Sequence, residues 1–237
     1  LVYSASRAFG AFQKMLSELP GGRLHETIPN FHNTRKRYEA FLASVKADSQ
    51  NRASGARAEI QFVMDRQGDT GIVVDGLADG RLPERITHND TKLNNVMIDD
   101  RTGEGICVID LDTVMPGSIL YDFGDSVRLG AATAPEDERD LLKVGFNVRL
   151  FDRLAAGYLD AARGFLTPAE TGLLAFSAKL LTLECGIRFL ADHLNGDVYF
   201  KIHREGHNLD RCRTQFKMVA EMERQTEAMD DVVRRYL

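Results

Sequence analysis

Two stretches near the middle of this 237-residue chain decide its fold: His88-Asn89-Asp90-Thr91-Lys92-Leu93-Asn94-Asn95 and Val108-Ile109-Asp110-Leu111-Asp112. Apolar runs at 96–98 and 106–111 enclose a segment rich in Asp and Gly, a pattern that predicts a β-hairpin. The hairpin would fold Asp110 back towards Asp90 and Asn95. Its strands would hold the polar loop rigidly at the mouth of a cleft, where functional side chains are often placed.

The residue types in these two stretches suit phosphoryl transfer. Mg²⁺ prefers oxygen ligands, so Asn95 and Asp110 are the candidate residues for binding the metal and the nucleotide phosphates. Asp90 is the candidate catalytic base, because an acceptor hydroxyl needs a carboxylate to take its proton. Lys92 is the candidate for steadying the transferred phosphate, with a solvated loop lysine as the alternative. The spacing is that of the protein-kinase catalytic loop, and His88 would hold this loop in place.

Helical patterns are predicted on both sides of this core. Residues 1–81 form a helical segment, 82–117 the catalytic loop and metal-binding hairpin, and 118–237 a helical substrate-binding region. Within them we expect helices at 3–19, 35–46, 56–77 and 208–224, with a short extended segment at 82–87. Thr167-Pro168-Ala169-Glu170 is a capping box with proline at the first helical position, and it should open a helix that runs to Leu194.

Composition narrows the class of protein. The formal net charge is −5 and no stretch is strongly basic, so a nucleic-acid partner is not expected. No apolar run is long enough to span a membrane, and no signal peptide is visible. The three cysteines match neither a disulfide framework nor a zinc site. Together these features predict a cytoplasmic protein with reduced thiols and no membrane partner.

The pattern HxDxxxxN followed by IDxD resembles the signature of the aminoglycoside phosphotransferase and choline kinase superfamily. Within it, HNDTKLNN with VIDLDTVMPG is most similar to the N-acetylhexosamine 1-kinases, and so are the stretches at 31–34 (FHNT), 184–189 (ECGIRF) and 196–200 (GDVYF). This resemblance implies an α+β, mainly α, fold, the carboxy-terminal catalytic lobe of a protein-kinase-like enzyme. It also implies ATP and Mg²⁺ as cofactors, and a sugar acceptor phosphorylated at the anomeric hydroxyl of GlcNAc or GalNAc.

The same resemblance implies roles for individual residues. Asp90 would be the base, Asn95 and Asp110 would bind Mg²⁺, and Asp112 would support a second metal position. Arg188 and Tyr199 match positions that lie near the sugar in such kinases.

Two residues, Arg188 and Asp122, have two possible roles. Arg188 has a structural one, a buried ion pair with Glu184 one helical turn away. Asp122 begins the sequence Asp-Phe-Gly, which is a metal motif in protein kinases. In the resembled family the residue at this place supports the catalytic loop instead.

A complete kinase also needs a nucleotide-binding lobe with a glycine-rich strand turn. We find no GxGxxG and no strand-rich segment before residue 82, so this lobe is expected to be absent from the chain, which begins with Leu1, and truncation is the expected cause. Choline, ethanolamine, homoserine and aminoglycosides are alternative acceptors. The absence of Trp weighs against choline, whose sites use aromatic walls. A non-catalytic kinase-like scaffold is the alternative of a different class.

Overall fold

The computed structural model describes residues 1–237 as a mainly helical fold with two pairs of short antiparallel strands, which confirms the predicted fold class. None of its helices combines the length and apolar content needed to cross a lipid bilayer. In chain order the elements are α1 (Val2–Ser17), α2 (Thr34–Ala47), α3 (Arg57–Met64), α4 (Ile72–Ala78), β1 (Arg85–Thr87), β2 (Val96–Ile98), β3 (Gly105–Val108), β4 (Met115–Gly117), α5 (Ile119–Gly130), α6 (Val148–Ala162), α7 (Pro168–Thr171), α8 (Leu174–Asn195), α9 (His207–Arg224) and α10 (Thr226–Tyr236).

The helices before residue 82 agree with the sequence except at one place. Helix α1 ends just before the predicted stop at Pro20, and α2 begins after Asn33, whose side chain accepts a hydrogen bond from the Lys36 amide. The single helix predicted over 56–77 is wrong. A 3₁₀ turn at Gln67–Gly71 divides it into α3 and α4, because the two glycines in this segment weaken a continuous helix.

The predicted hairpin is present. Val96 pairs with Val108 and Met97 with Cys107 across β2 and β3, and the Asp99 side chain accepts hydrogen bonds from two turn amides. The second strand pair was not predicted. Strands β1 and β4 are three residues each, and β4 contains Pro116 and Gly117, which sequence patterns do not favour in strands.

The carboxy-terminal half differs from the sequence expectation at two points. The capping box at Thr167 and Glu170 forms, but the helix it opens ends after one turn, and α8 starts separately at Leu174. A further helix, α10, follows α9. It was missed because it is largely polar and buries only three side chains, Met229, Val232 and Val233.

The core has two main parts, and α8 contributes to both. One part surrounds α5, α6 and the start of α8, with Phe123, Phe151 and Tyr158 among its fully buried side chains. The other lies between α2, α3, α9 and the end of α8, around Phe41 and Phe216. The catalytic hairpin rests on α1 through a smaller cluster.

Helix α1 crosses α6 at a point where the two backbones touch. A methyl group added at Gly10 would lie 2.7 Å from the carbonyl oxygen of Tyr158, and one added at Gly157 would meet the carbonyl oxygen of Tyr3. Glycine is therefore required on both sides of the crossing. The crossing matters for the site because α1 carries Gln13 to the catalytic loop.

We expect Gly157→Ala to destabilise the fold by about 1–3 kcal/mol, since the new methyl group must push α1 away from α6. The measurement is the midpoint of urea unfolding. Gly164→Ala is the matched control, because no atom lies within 4 Å of the position its methyl group would take. Equal midpoints for the two variants would contradict the close crossing.

Candidate active site

The buried carboxylate of Asp122 anchors the catalytic loop from behind. It accepts hydrogen bonds from the amides of His88 (2.9 Å) and Asn89 (2.7 Å) and from the side chain of Gln13 (2.6 Å). Burial raises the pKa of Asp122, and these three donors oppose that rise because they stabilise the charged form. Both oxygens accept hydrogen bonds from protein donors, and Asp122 is buried rather than open to the exposed side of the loop.

Every backbone polar group from His88 to Asp90 is hydrogen-bonded. In addition to the two amides held by Asp122, the His88 carbonyl accepts from Thr113, the Asp90 amide donates to Nδ1 of His88, and Nε2 of His88 contacts the Ile109 carbonyl. The Asn89 carbonyl contacts His32, and the Asp90 carbonyl accepts from Asn95. The loop is thus held rigidly although Asn89 has a left-handed backbone (φ 66°).

Asp90, Lys92 and Asp110 form an exposed charge cluster in front of the loop. The ammonium group of Lys92 lies 2.6 Å from Oδ2 of Asp90 and 3.6 Å from Oδ2 of Asp110. The hydrogen bond with Asp90 raises the pKa of Lys92, so the side chain stays charged. The hairpin therefore brings the three residues together as the sequence pattern predicts.

Asn95 joins this cluster through its amide nitrogen. Nδ2 donates to the carbonyl (2.9 Å) and to Oδ2 (3.1 Å) of Asp90. The amide oxygen of Asn95 receives no hydrogen bond from the protein, so it remains available to a cation. Asp112 is exposed on the segment after Asp110, and only its backbone carbonyl is bonded, by Thr27. No three His, Cys, Asp or Glu side chains form a group able to hold a metal ion.

Arg188 does not form the ion pair with Glu184 that the sequence left open. Its guanidinium lies over three aromatic rings, at 5.4 Å from Phe31, 5.8 Å from Tyr199 and 5.4 Å from Phe200. Glu184 pairs instead with His32, whose Nδ1 lies 2.8 Å from Oε1. The half-buried Arg188 has no carboxylate partner.

Tyr199 is presented by a loop that Asp192 organises. The carboxylate of Asp192 accepts hydrogen bonds from the amides of Val198, Tyr199 and Phe200, at 2.8–2.9 Å. The Tyr199 side chain is 70% exposed, next to Arg188. The structure therefore brings the two predicted acceptor residues together.

A second arginine lies beside this pair. Arg37 lines the same shallow pocket of about 190 Å³ as Arg188 and Tyr199. Burial lowers the pKa of Arg37, and the charge of Arg188 lowers it further. Arg37 donates only to the Phe31 carbonyl, so the pocket carries two cations that no carboxylate pairs directly.

Four residues of this region escaped prediction as site residues: Gln13, His32, Arg37 and Glu184. His32 and Glu184 lie in the stretches FHNT and ECGIRF, whose similarity to known kinases was the only signal available. They are 152 positions apart, and only the fold shows that they touch.

Comparison with known proteins gives matches in sequence and in structure. The profile of the phosphotransferase enzyme family matches residues 3–168. A microcompartment-associated aminopropanol kinase superimposes with a TM-score of 0.56 at 17% identity, over 97% of this chain and 63% of that kinase. The ADP-bound aminoglycoside phosphotransferase APH(2'')-Ib superimposes with a TM-score of 0.48 at 12% identity, over 93% of this chain and 65% of that enzyme. The chain thus spans less than two thirds of the length of these structures.

We expect Asp122→Asn to lower the free energy of unfolding by about 1–3 kcal/mol. The NH₂ group of the new asparagine would face a backbone N–H, and two donors cannot form a hydrogen bond with each other. Chemical denaturation measures this loss. The control is Asp100→Asn, the same change at an exposed turn residue. If both variants unfold at the wild-type denaturant concentration, Asp122 does not anchor the loop.

Proposed function

Because this chain belongs to the phosphotransferase enzyme family, we propose that it forms the catalytic lobe of a kinase that transfers the terminal phosphate of ATP to a hydroxyl group of a small molecule. The observation that supports this most is the contact of Lys92 and Asn95 with Asp90, with Asp110 beside them. A base, a cation and two oxygen ligands side by side are what phosphoryl transfer requires.

The proposed base is the free oxygen of Asp90. Its Oδ2 is occupied by Lys92 and Asn95, whereas Oδ1 has no protein donor. An acceptor hydroxyl would bind Oδ1 and give up its proton there while its oxygen attacks the terminal phosphorus. One O–P bond forms, the bond to the bridging oxygen breaks, and ADP leaves. Lys92 can turn from Asp90 to the transferred phosphate because its ammonium group carries three donors.

The residues proposed to bind the metal fit Mg²⁺. The unoccupied amide oxygen of Asn95 and the exposed carboxylate of Asp110 are hard oxygen ligands, and Asp112 lies two residues further along. When bound, the ion would neutralise negative charge on the phosphates. Asp110 has a left-handed backbone (φ 63°), which turns its side chain out of the strand that precedes it.

The proposed seat of the adenine base is the exposed face of the hairpin. Met97 (53% exposed), Ile109 (39%) and Leu111 (52%) are apolar side chains open to solvent. Ile109 and Leu111 flank Asp110 in the chain, and Met97 lies on β2, opposite Cys107 of β3. Exposed apolar groups next to a phosphate-binding site suit a flat, mainly apolar ring.

The acceptor we propose is an N-acetylhexosamine, bound near Arg188 and Tyr199. Two guanidinium groups would repel choline, a polyamine or a protonated amino alcohol, and the aromatic rings that could bind a quaternary ammonium already face Arg188. A neutral sugar can accept hydrogen bonds from Arg188 through its hydroxyl and carbonyl oxygens. Homoserine is the second candidate, because its carboxylate would match the arginine pair.

The decisive experiment measures ADP release by the full-length protein with ATP, Mg²⁺ and each of GlcNAc, GalNAc, homoserine, choline and kanamycin. We expect release with an N-acetylhexosamine. Asp90→Asn should lower kcat at least about 100-fold because the proton acceptor is lost. The control Asp100→Asn should leave kcat unchanged. If none of the five acceptors gives ADP release, the non-catalytic scaffold is favoured. Normal turnover of Asp90→Asn would exclude Asp90 as the base.

Arg188→Ala should raise the KM for the acceptor about 10- to 100-fold, as expected for the loss of one charged hydrogen bond, and leave the KM for ATP unchanged. Initial rates at varied acceptor and at varied ATP separate the two constants. Arg66→Ala is the control, since Arg66 is also half-buried over an aromatic ring but follows α3 and pairs with Glu223 of α9. An unchanged acceptor KM would remove Arg188 from the site.

A further inference from the structure

His32 lies between two acceptor groups. Its Nδ1 is 2.8 Å from a carboxylate oxygen of Glu184, and its Nε2 is 3.1 Å from the carbonyl oxygen of Asn89. A neutral imidazole has only one N–H, so it can donate to one of these two oxygens but not to both. With Glu184 ionised, both contacts are hydrogen bonds only if the ring is a protonated imidazolium.

Glu184 supplies the negative charge for such a cation. It is 1% exposed on α8, and its second carboxylate oxygen has no hydrogen-bond partner. His32 is its only ion-pair partner. A buried carboxylate without a partner is costly, so the pair is favoured in its charged form.

The contact with Asn89 ties the catalytic loop to α8. All other hydrogen bonds to the backbone of residues 88–90 come from within the segment 88–122. His32 alone comes from outside it, and through Glu184 it reaches the helix that bears Arg188, one turn further along. Asn89 is also the residue directly before Asp90.

We propose that protonated His32 is a positioning residue, which sets Asp90 relative to the acceptor-binding face of α8 by holding the Asn89 carbonyl and the Glu184 carboxylate at the same time. Its effect on turnover rests on the function proposed above. Its effect on the loop does not.

The surroundings of the ring agree with a charged state. Glu184 faces it from α8, Asp125 and the ring of Tyr121 from α5, and Phe31 lies beside it in the chain. Burial lowers the pKa of His32, but Glu184 and the carbonyl of Asn89 outweigh burial and raise the pKa above 6.5. The stability that the pair contributes is therefore fully present below pH 6.5 and is lost as the pH rises through the raised pKa.

Two substitutions separate the contact of His32 with Asn89 from its contact with Glu184. In His32→Gln the amide reaches the position of Nε2 and can still donate to Asn89. In His32→Asn it reaches only the position of Nδ1, next to Glu184. We expect His32→Asn to lower kcat at least about tenfold and His32→Gln to retain most of it, with similar melting temperatures for both. In Glu184→Gln, which removes the charge that raises the pKa of His32, the alkaline limb of the kcat profile should move to lower pH.

Measurements without turnover make the test independent of the proposed function. ¹⁵N NMR of the full-length protein at pH 6 should show both ring nitrogens of His32 protonated, and hydrogen exchange at residues 88–95 should be faster in His32→Asn than in His32→Gln. Glu223→Gln is the control, because it removes a charge from a different, half-buried pair. Only one protonated nitrogen, or equal exchange and equal kcat in the two His32 variants, would overturn the proposal. If no acceptor is phosphorylated, the proposed function fails, and NMR and exchange still decide the role of His32.

Discussion

The carboxylate of Asp122 is the interaction on which the rest of the site depends. A charge buried to this degree is tolerated only if donors surround it, and its donors come from helix α1 and from two successive amides of the catalytic loop. Gln13 also accepts from Tyr158 of α6. One desolvated group thereby fixes the relative positions of α1, α5, α6 and the loop. The glycine crossing of α1 with α6 brings Gln13 within reach of it.

Buried and exposed polar groups have different parts in this arrangement. Asp122, His88 and Asn89 are buried and have their hydrogen-bonding capacity filled by the protein. Asp90 and Asp110 are partly exposed and each retains an oxygen that no protein donor occupies. The first group holds the shape of the loop, whereas the second has oxygens that are open to solvent.

The sequence predicted the parts of the structure that local chemistry controls. The hairpin, the ends of α1 and α2, and the capping box at Thr167 all depend on neighbouring residues, and all are present. The fold class followed from the catalytic loop. Strand β1 lies within the extended segment predicted at 82–87, but its pairing with β4 joins residues such as Ile86 and Pro116 that are far apart in the chain, and β4 has no strand pattern of its own.

Long-range contacts account for the differences at the site as well. An i,i+4 pair of Glu184 with Arg188 is the natural expectation from a helix alone. In the structure Glu184 instead contacts His32, and Arg188 lies over three aromatic rings. Neither contact can be predicted from the sequence of the helix. The same holds for Arg37, which meets Arg188 only because α2 packs beside α8. The members of the site could thus be proposed from the sequence, but not their partners.

Helix α8 is shared by both halves of the hydrophobic core. If either half of the core lost its packing, part of α8 would be exposed to solvent. We therefore expect the two halves to unfold together as a single cooperative unit. The slowest-exchanging amides of the chain are therefore expected in the middle of α8. The helix that carries Arg188 is then also expected to be the last to open.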